Sequence, residues 1–282
     1  MEHMIEKIKE ILMDPLVGSR KDVYDLTFAT IDSSKDVDDI TDIQIVHEEY
    51  NYNNSVLSEF IPIRWKQFFI KPEIVKEIAD IEEDIKSKRD KEIIFPPIKS
   101  VFNVFYMIDL HSINVVILGQ DPYFKKNEAV GVSFHVKKNN GKPINSSLLN
   151  IYKEIEREYE VKMDRKNTSL QNWLNQGVFL YNTALTVREN EQESHLKIWK
   201  IFSQHLITYI SNNRKGVAFL LWGAKAQYYE KFITSSHLII KSSHPSGMSF
   251  KSGKAPFYGS NCFKLTNDYL LAKGKKEIKW HD

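Results

Sequence analysis

The chain has 282 residues, 42% of them hydrophobic and 27% charged, a composition that suits a soluble globular protein with a sizeable core. No apolar run approaches the roughly 18 residues of a membrane span, the best being residues 217–224, and the single cysteine, Cys262, excludes an internal disulfide or a multi-cysteine zinc site. The formal net charge of +2 conceals a split: residues 1–60 hold 5 Lys/Arg and 14 Asp/Glu, whereas residues 61–282 hold 34 and 23. A basic body behind an acidic leader suits a polyanionic ligand, although the same charge also serves as a solubilising surface.

Residues 1–60 read as an acidic extension, partly helical or disordered. Met4, Ile5, Ile8, Ile11 and Leu12 have helical spacing that Pro15 ends, and a polar stretch, Ser33-Ser34-Lys35-Asp36-Val37-Asp38-Asp39, follows. Early acids (Glu2, Glu6, Glu10) and no apolar signal core argue against secretion or mitochondrial import. From residue 61 to 282, apolar runs alternate with helical patterns. Asn114–Leu118 ends at Gly119, Gly177–Tyr181 at Asn182, Val217–Leu221 at Trp222-Gly223, and His237–Ile240 at Lys241-Ser242-Ser243-His244. Continuous apolar runs suit strands covered on both faces. Leu148, Ile151, Tyr152 and Ile155 form a helical stripe after the candidate caps Ser146 and Ser147, and Leu196, Trp199, Phe202, Leu206, Tyr209 and Ile210 form another. The alternation predicts an α/β fold: a three-layer sandwich with a central, mostly parallel four-stranded sheet flanked by helices.

In open α/β sheets ligands bind beyond the carboxyl ends of the strands. Three of the four runs lead directly into polar or aromatic residues there: Gln120-Asp121-Pro122-Tyr123, Asn182-Thr183 and His244-Pro245-Ser246. Each alone is more often a turn residue or a helix cap, but three on one edge make a site. Other nucleotide chemistries fit poorly. Gly253-Lys254 is followed by Ala255, and Met248 stands where a phosphate-binding loop needs its first glycine. A dinucleotide glycine fingerprint, paired zinc-deaminase cysteines and a two-histidine zinc helix are all lacking. Neither a metal nor a cofactor is expected.

Gly119-Gln120-Asp121-Pro122-Tyr123 after an apolar strand, with His244-Pro245-Ser246 far downstream, resembles the family-1 uracil-DNA glycosylases. The similarity runs over roughly residues 61 to 282 and takes in Phe95-Pro96-Pro97, Leu148 to Glu154, Trp173 to Arg188, Phe219 to Gly223 with Gln227, and Gly274-Lys275-Lys276. The resemblance implies an enzyme that flips uracil out of single- or double-stranded DNA and hydrolyses its bond to the sugar. By it, Asp121 positions the water and stabilises charge on the sugar, and His244 bonds the uracil oxygen as the base leaves. Gln120 adds a backbone contact to uracil, and Tyr123 blocks the thymine methyl. Phe134 stacks on the base and Asn182 reads its edge. Ser147, Ser246 and Ser249 match positions that hold the DNA backbone, and Met248 matches an apolar wedge.

This chain departs from the family pattern at several positions. Phe124 replaces a histidine next to the water, Gly247 a proline and Ala224 a serine. The proline-rich loop shrinks to Pro143-Ile144-Asn145-Ser146, and the loop after Met248 is longer, with Lys251, Gly253 and Lys254. Two readings follow: an active hydrolase on uracil-containing DNA, favoured by Asp121, Asn182 and His244, or a DNA-binding accessory scaffold for a replication partner. The expected state is a monomer inside the cell, in nucleus or cytoplasm, or at a viral replication site if the source is viral. The expectation includes no membrane association and leaves residues 1–60 open to a replication or repair protein.

Overall fold

The computed structural model describes residues 56–89, 91–136 and 144–281; the helix expected over residues 4–12 and the acidic stretch after it lie outside the described residues. The strands are β1 (Ile94–Phe95), β2 (Val115–Gly119), β3 (Val178–Asn182), β4 (Val187–Arg188), β5 (Ala218–Trp222) and β6 (Leu238–Ser242). β2, β3, β5 and β6 form one sheet in the order β3-β2-β5-β6, and every neighbouring pair is parallel. Each apolar run read from the sequence forms one of these strands. β2, β3 and β5 are buried at every position, the outcome expected of strands covered on both faces. Gly119 pairs with Asn182 and Trp222 with Ser242, so the carboxyl ends lie level.

The longer helices are α1 (Pro72–Arg89), α2 (Ser146–Tyr159), α3 (Leu196–Asn213) and α4 (Cys262–Ala272). They flank the sheet, with α1 packed on α3 and α2 on α4. Side chains alternate across a strand, so Phe179 and Tyr181 of β3 share a face. Their rings stack at 5.7 Å and join Trp65 and Phe105. Trp222, at the end of β5, instead packs edge-on against Phe257 and Phe263. β1 and β4 form a separate two-stranded antiparallel ladder that the sequence reading did not contain. Among the described residues, no helix is long and apolar enough to cross a membrane.

Two local expectations change. The cap of α2 is Asn145, whose side chain accepts the Ser147 N–H at 2.9 Å from an extended backbone; Ser146 is already the first helical residue. Residues assigned to the extension also enter the core. Leu57 is fully buried in the 3₁₀ turn Leu57–Phe60, and the Ser58 N–H donates to the buried Glu82 carboxylate at 3.1 Å. The packed body therefore includes residues ahead of position 61. Leu57→Ala should lower stability by about 2–5 kcal/mol through the cavity it leaves. Ile63→Ala, at a side chain 39% exposed, should cost less than about 0.5 kcal/mol. Thermal unfolding of the two variants side by side checks the difference.

Candidate active site

β2 ends in Gly119, and the next residues form the wall of a pocket. Gln120 O accepts hydrogen bonds from the Ala184 N–H at 2.9 Å and the Thr183 hydroxyl at 3.0 Å, which fastens this loop to the end of β3. The loop is thus a rigid extension of two neighbouring strands. Asp121 follows, and both of its oxygens have donors. The Gln120 amide reaches Oδ1 at 3.0 Å, and the Glu193 N–H reaches Oδ2 at 2.6 Å. Burial pushes the Asp121 carboxyl above the ordinary range. The two donors pull it back, the neighbouring Glu193 carboxylate pushes it up and Lys225 pulls it down.

Asn182 ends β3 and lies directly over Gly119. A Cβ built on Gly119 would sit 2.2 Å from Asn182 Oδ1 and 2.7 Å from Ser133 Cβ. Only glycine leaves room for the amide in this place. Asn182 itself is buried. Phe134 holds a left-handed backbone, φ +62°, which costs an aromatic residue about 1–3 kcal/mol. Its ring centroid lies 5.5 Å from Trp222 and 6.4 Å from His244, and its carbonyl accepts the Tyr123 hydroxyl at 3.3 Å. Burial raises the Tyr123 phenol well above its ordinary value, so the ring stays neutral.

His244 follows β6. Gly223, after β5, has φ +86°, and a Cβ there would lie 3.0 Å from His244 Cβ; this glycine lets the two strand ends approach. The Ser246 N–H donates to His244 Nδ1 at 3.1 Å. A nitrogen that accepts an N–H carries no proton, so the neutral ring holds its proton on Nε2. Burial lowers the imidazole below its ordinary value and favours that neutral form.

The loop after His244 binds itself. Ser249 Oγ donates to His244 O at 2.8 Å and lies 2.9 Å from Ser246 Oγ, while Ser243 Oγ donates to Ser249 O at 2.6 Å. Met248 stands at the tip, 96% exposed. Asn150 of α2 donates to Pro245 O at 2.8 Å, which brings the first turns of that helix, with Ser147, beside the loop. The structure therefore brings Gln120, Asp121, Tyr123, Phe134, Asn182 and His244 to the carboxyl edge of the sheet. It sets Ser246, Met248 and Ser249 on the adjoining loop and Ser147 on the neighbouring helix. Lys142 and Pro143 of the shortened loop lie outside the described residues.

Sequence reasoning missed Glu193 and Lys225. Glu193 reaches Asp121 through its backbone and is ion-paired to Lys225 through its side chain. Glu193 is one of three alternating glutamates in a polar turn, Lys225 lies at a helix start, and no spacing pattern ties the two together.

The family model of the uracil DNA glycosylase superfamily matches residues 105–271. The chain is 40% identical over 220 residues to the uracil-DNA glycosylase of Buchnera aphidicola subsp. Acyrthosiphon pisum, across 77% of this chain and 98% of that protein. With the uracil-DNA glycosylase of Proteus mirabilis it shares 44% identity over 191 residues, across 67% of this chain and 82% of the relative. Its fold is similar to the crystal structure of mimivirus uracil-DNA glycosylase, with a TM-score of 0.76 at 30% identity, over 83% of this chain and 92% of that one. A variant of that viral enzyme in complex with UGI gives the same TM-score, 0.76, at 29% identity, over 82% of this chain and 93% of that one.

The bond into Nδ1 and the burial of His244 predict a titration midpoint below the usual histidine value of about 6.5. ¹⁵N NMR of the imidazole should show the Nε2–H tautomer near neutral pH, with protonation of Nδ1 only as the pH falls below that value. A midpoint at or above about 6.5 contradicts the assignment.

Proposed function

The chain belongs to the uracil-DNA glycosylase superfamily and hydrolyses the bond between uracil and deoxyribose in DNA, and we propose that the pocket at the carboxyl edge of its sheet is where the flipped base is held and released. The observation that carries this reading is the pairing of two electrostatic groups at that edge. One is an aspartate supplied with two hydrogen-bond donors; the other is a histidine whose only proton is on Nε2. The reaction develops positive charge on the sugar and negative charge on the base. The two groups have the signs required to stabilise each.

The uracil ring enters between Phe134 and the wall made by Tyr123. Phe134 stacks on it, and the Tyr123 ring fills the volume that a thymine methyl would need. Asn182 presents both a carbonyl and an amino group to the pyrimidine edge, which matches the acceptor and donor of uracil. Cytosine has a donor where uracil has an acceptor and is mispaired by a fixed amide. Gln120 adds its backbone. The C1′–N1 bond then lengthens. The Asp121 carboxylate stabilises the cationic sugar and aligns a water for attack at C1′. His244 Nε2–H donates to the uracil carbonyl as the base leaves as an anion. The water oxygen bonds to C1′ and releases one proton to solvent, which balances the negative charge of the departing uracil, leaving an abasic site, the first product of base excision repair.

Around the pocket, Ser147, Ser246 and Ser249 hold the phosphate backbone, and exposed Met248 fills the stack where the nucleotide has left. Phe124 cannot hydrogen-bond a water, so the alignment of the nucleophile falls to Asp121. The enzyme works as a monomer within the cell, in nucleus or cytoplasm. The acidic residues ahead of the packed body engage a replication or repair protein.

Asp121→Asn should reduce single-turnover cleavage of uracil-containing single-stranded DNA by at least about 10²–10³-fold, with DNA affinity within a few-fold of the unchanged protein. Near-normal cleavage by this variant removes the assignment. Tyr123→Ala should gain measurable release of thymine. If the folded variant still excises only uracil, the wall lies elsewhere.

A chain starting at Val56 should keep its cleavage rate, because it retains the buried Leu57 and Ser58 and every residue assigned to the site. DNA affinity of both chains should fall steeply as salt rises, as counterion release requires. Loss of activity on this truncation would assign residues 1–55 to the catalytic body.

A further inference from the structure

Four side chains form a continuous polar line into the pocket: Lys225, Glu193, Gln120 and Asp121. Lys225 Nζ is ion-paired with Glu193 Oε2, Gln120 Nε2 donates to Glu193 Oε1 at 3.3 Å, and the same nitrogen donates to Asp121 Oδ1 at 3.0 Å. Glu193 also reaches Asp121 through its backbone, whose N–H lies 2.6 Å from Oδ2. That backbone is left-handed, φ +69°, a conformation that costs a residue with a Cβ and aims the N–H at the carboxylate.

This arrangement places a second carboxylate beside the one that must be ionised. Like charges raise each other's proton affinity, so Glu193 alone would oppose the ionisation of Asp121. Lys225 brings the compensating charge. The Glu193–Lys225 pair is about half exposed, 47% and 44%, and an ion pair of that kind contributes little to stability. The groups that act on Asp121 are Gln120 on its own loop, Glu193 from the turn before α3, and Lys225 from the short helix after β5. Gln120 is uncharged, so the local charge balance is set by Glu193 and Lys225.

We propose that Glu193 and Lys225 are positioning residues for Asp121. Glu193 aims the carboxylate through its N–H, and Lys225 cancels the charge that Glu193 brings, so that Asp121 stays ionised at the pH of the reaction. Gln120, on the same loop, holds the other oxygen, Oδ1, but brings no charge. Burial already holds that carboxyl above its ordinary range, and an uncompensated neighbour would carry it further. The proposal rests on Asp121 as the group that stabilises the sugar cation.

The test is a ¹³C NMR titration of the aspartate carboxyls, with the Asp121 signal assigned by its loss in Asp121→Asn, alongside single-turnover rates across pH. Lys225→Met should move the Asp121 midpoint up by about 0.5–1 pH unit, and Glu193→Gln, which keeps the backbone N–H, should move it down. The double variant should return close to the starting value, and Lys225→Arg should not differ from it. The acid limb of the rate profile should follow, with Lys225→Met slower by about three- to tenfold below that limb. A merely structural role would lower rates evenly across pH and leave the midpoints in place. Unmoved midpoints in both single variants overturn the proposal. Midpoints that move while the acid limb stays fixed overturn instead the reading of Asp121 as the essential ionised group.

Discussion

Gly119 lies beneath the Asn182 amide, on adjacent strands and in register, and the site is built outward from that contact. A side chain at position 119 would collide with the amide oxygen and with Ser133. The glycine thus fixes how closely the Asn182 amide approaches the backbone that leads into Asp121. The next residue carries the constraint on: the Gln120 carbonyl is held by two groups from the segment after β3. The acid and the amide are consequently mounted on one rigid unit rather than on two loops. Catalysis by preorganised charge requires such mounting, because a carboxylate free to reorient would lose much of its effect.

The remainder of the pocket applies the same logic with other forces. His244 is brought close by the absence of a side chain at Gly223, and its tautomer is set by one backbone N–H. The loop that follows is held from below by buried carboxylates. Glu154 accepts the N–H groups of Gly259 and Asn261 and both ends of the Arg157 guanidinium, and Glu158 accepts the N–H groups of Phe263 and Lys264 at the start of α4. Burial opposes the charge on Glu154, but Arg157 and the backbone donors outweigh it and keep the carboxyl below its ordinary value. Burial, with the neighbouring Glu154 carboxylate adding to it, pushes Glu158 up to about 7 against the pull of the Lys264 and Phe263 N–H groups. The exposed tip at Met248 therefore stands on a base fastened through buried hydrogen bonds. The wedge proposed for Met248 needs this combination of a free end and a fixed root.

The sequence by itself determined the sheet, because four apolar runs without alternation suit buried parallel strands, and each run became a strand within one or two residues; three are covered on both faces, and the edge strand β6 is only partly buried. It also placed three polar strand ends on one edge, since strand ends in a parallel sheet share an edge. Asp121, Asn182 and His244 were legible for that reason, and the family motifs gave their neighbours. What the sequence did not contain follows from contacts between distant segments. The helix cap went to Asn145 rather than to a serine because backbone geometry, not residue type, selects among adjacent capping residues. Leu57 and Ser58 joined the core because they pack against residues far along the chain, although the surrounding composition reads as an acidic leader. Glu193 and Lys225, separated by 32 positions, carry no pattern at all. Their meeting beside Asp121 was decided by the tertiary structure alone, since the interaction of two charges depends on the distance between them in space, and sequence separation does not set that distance.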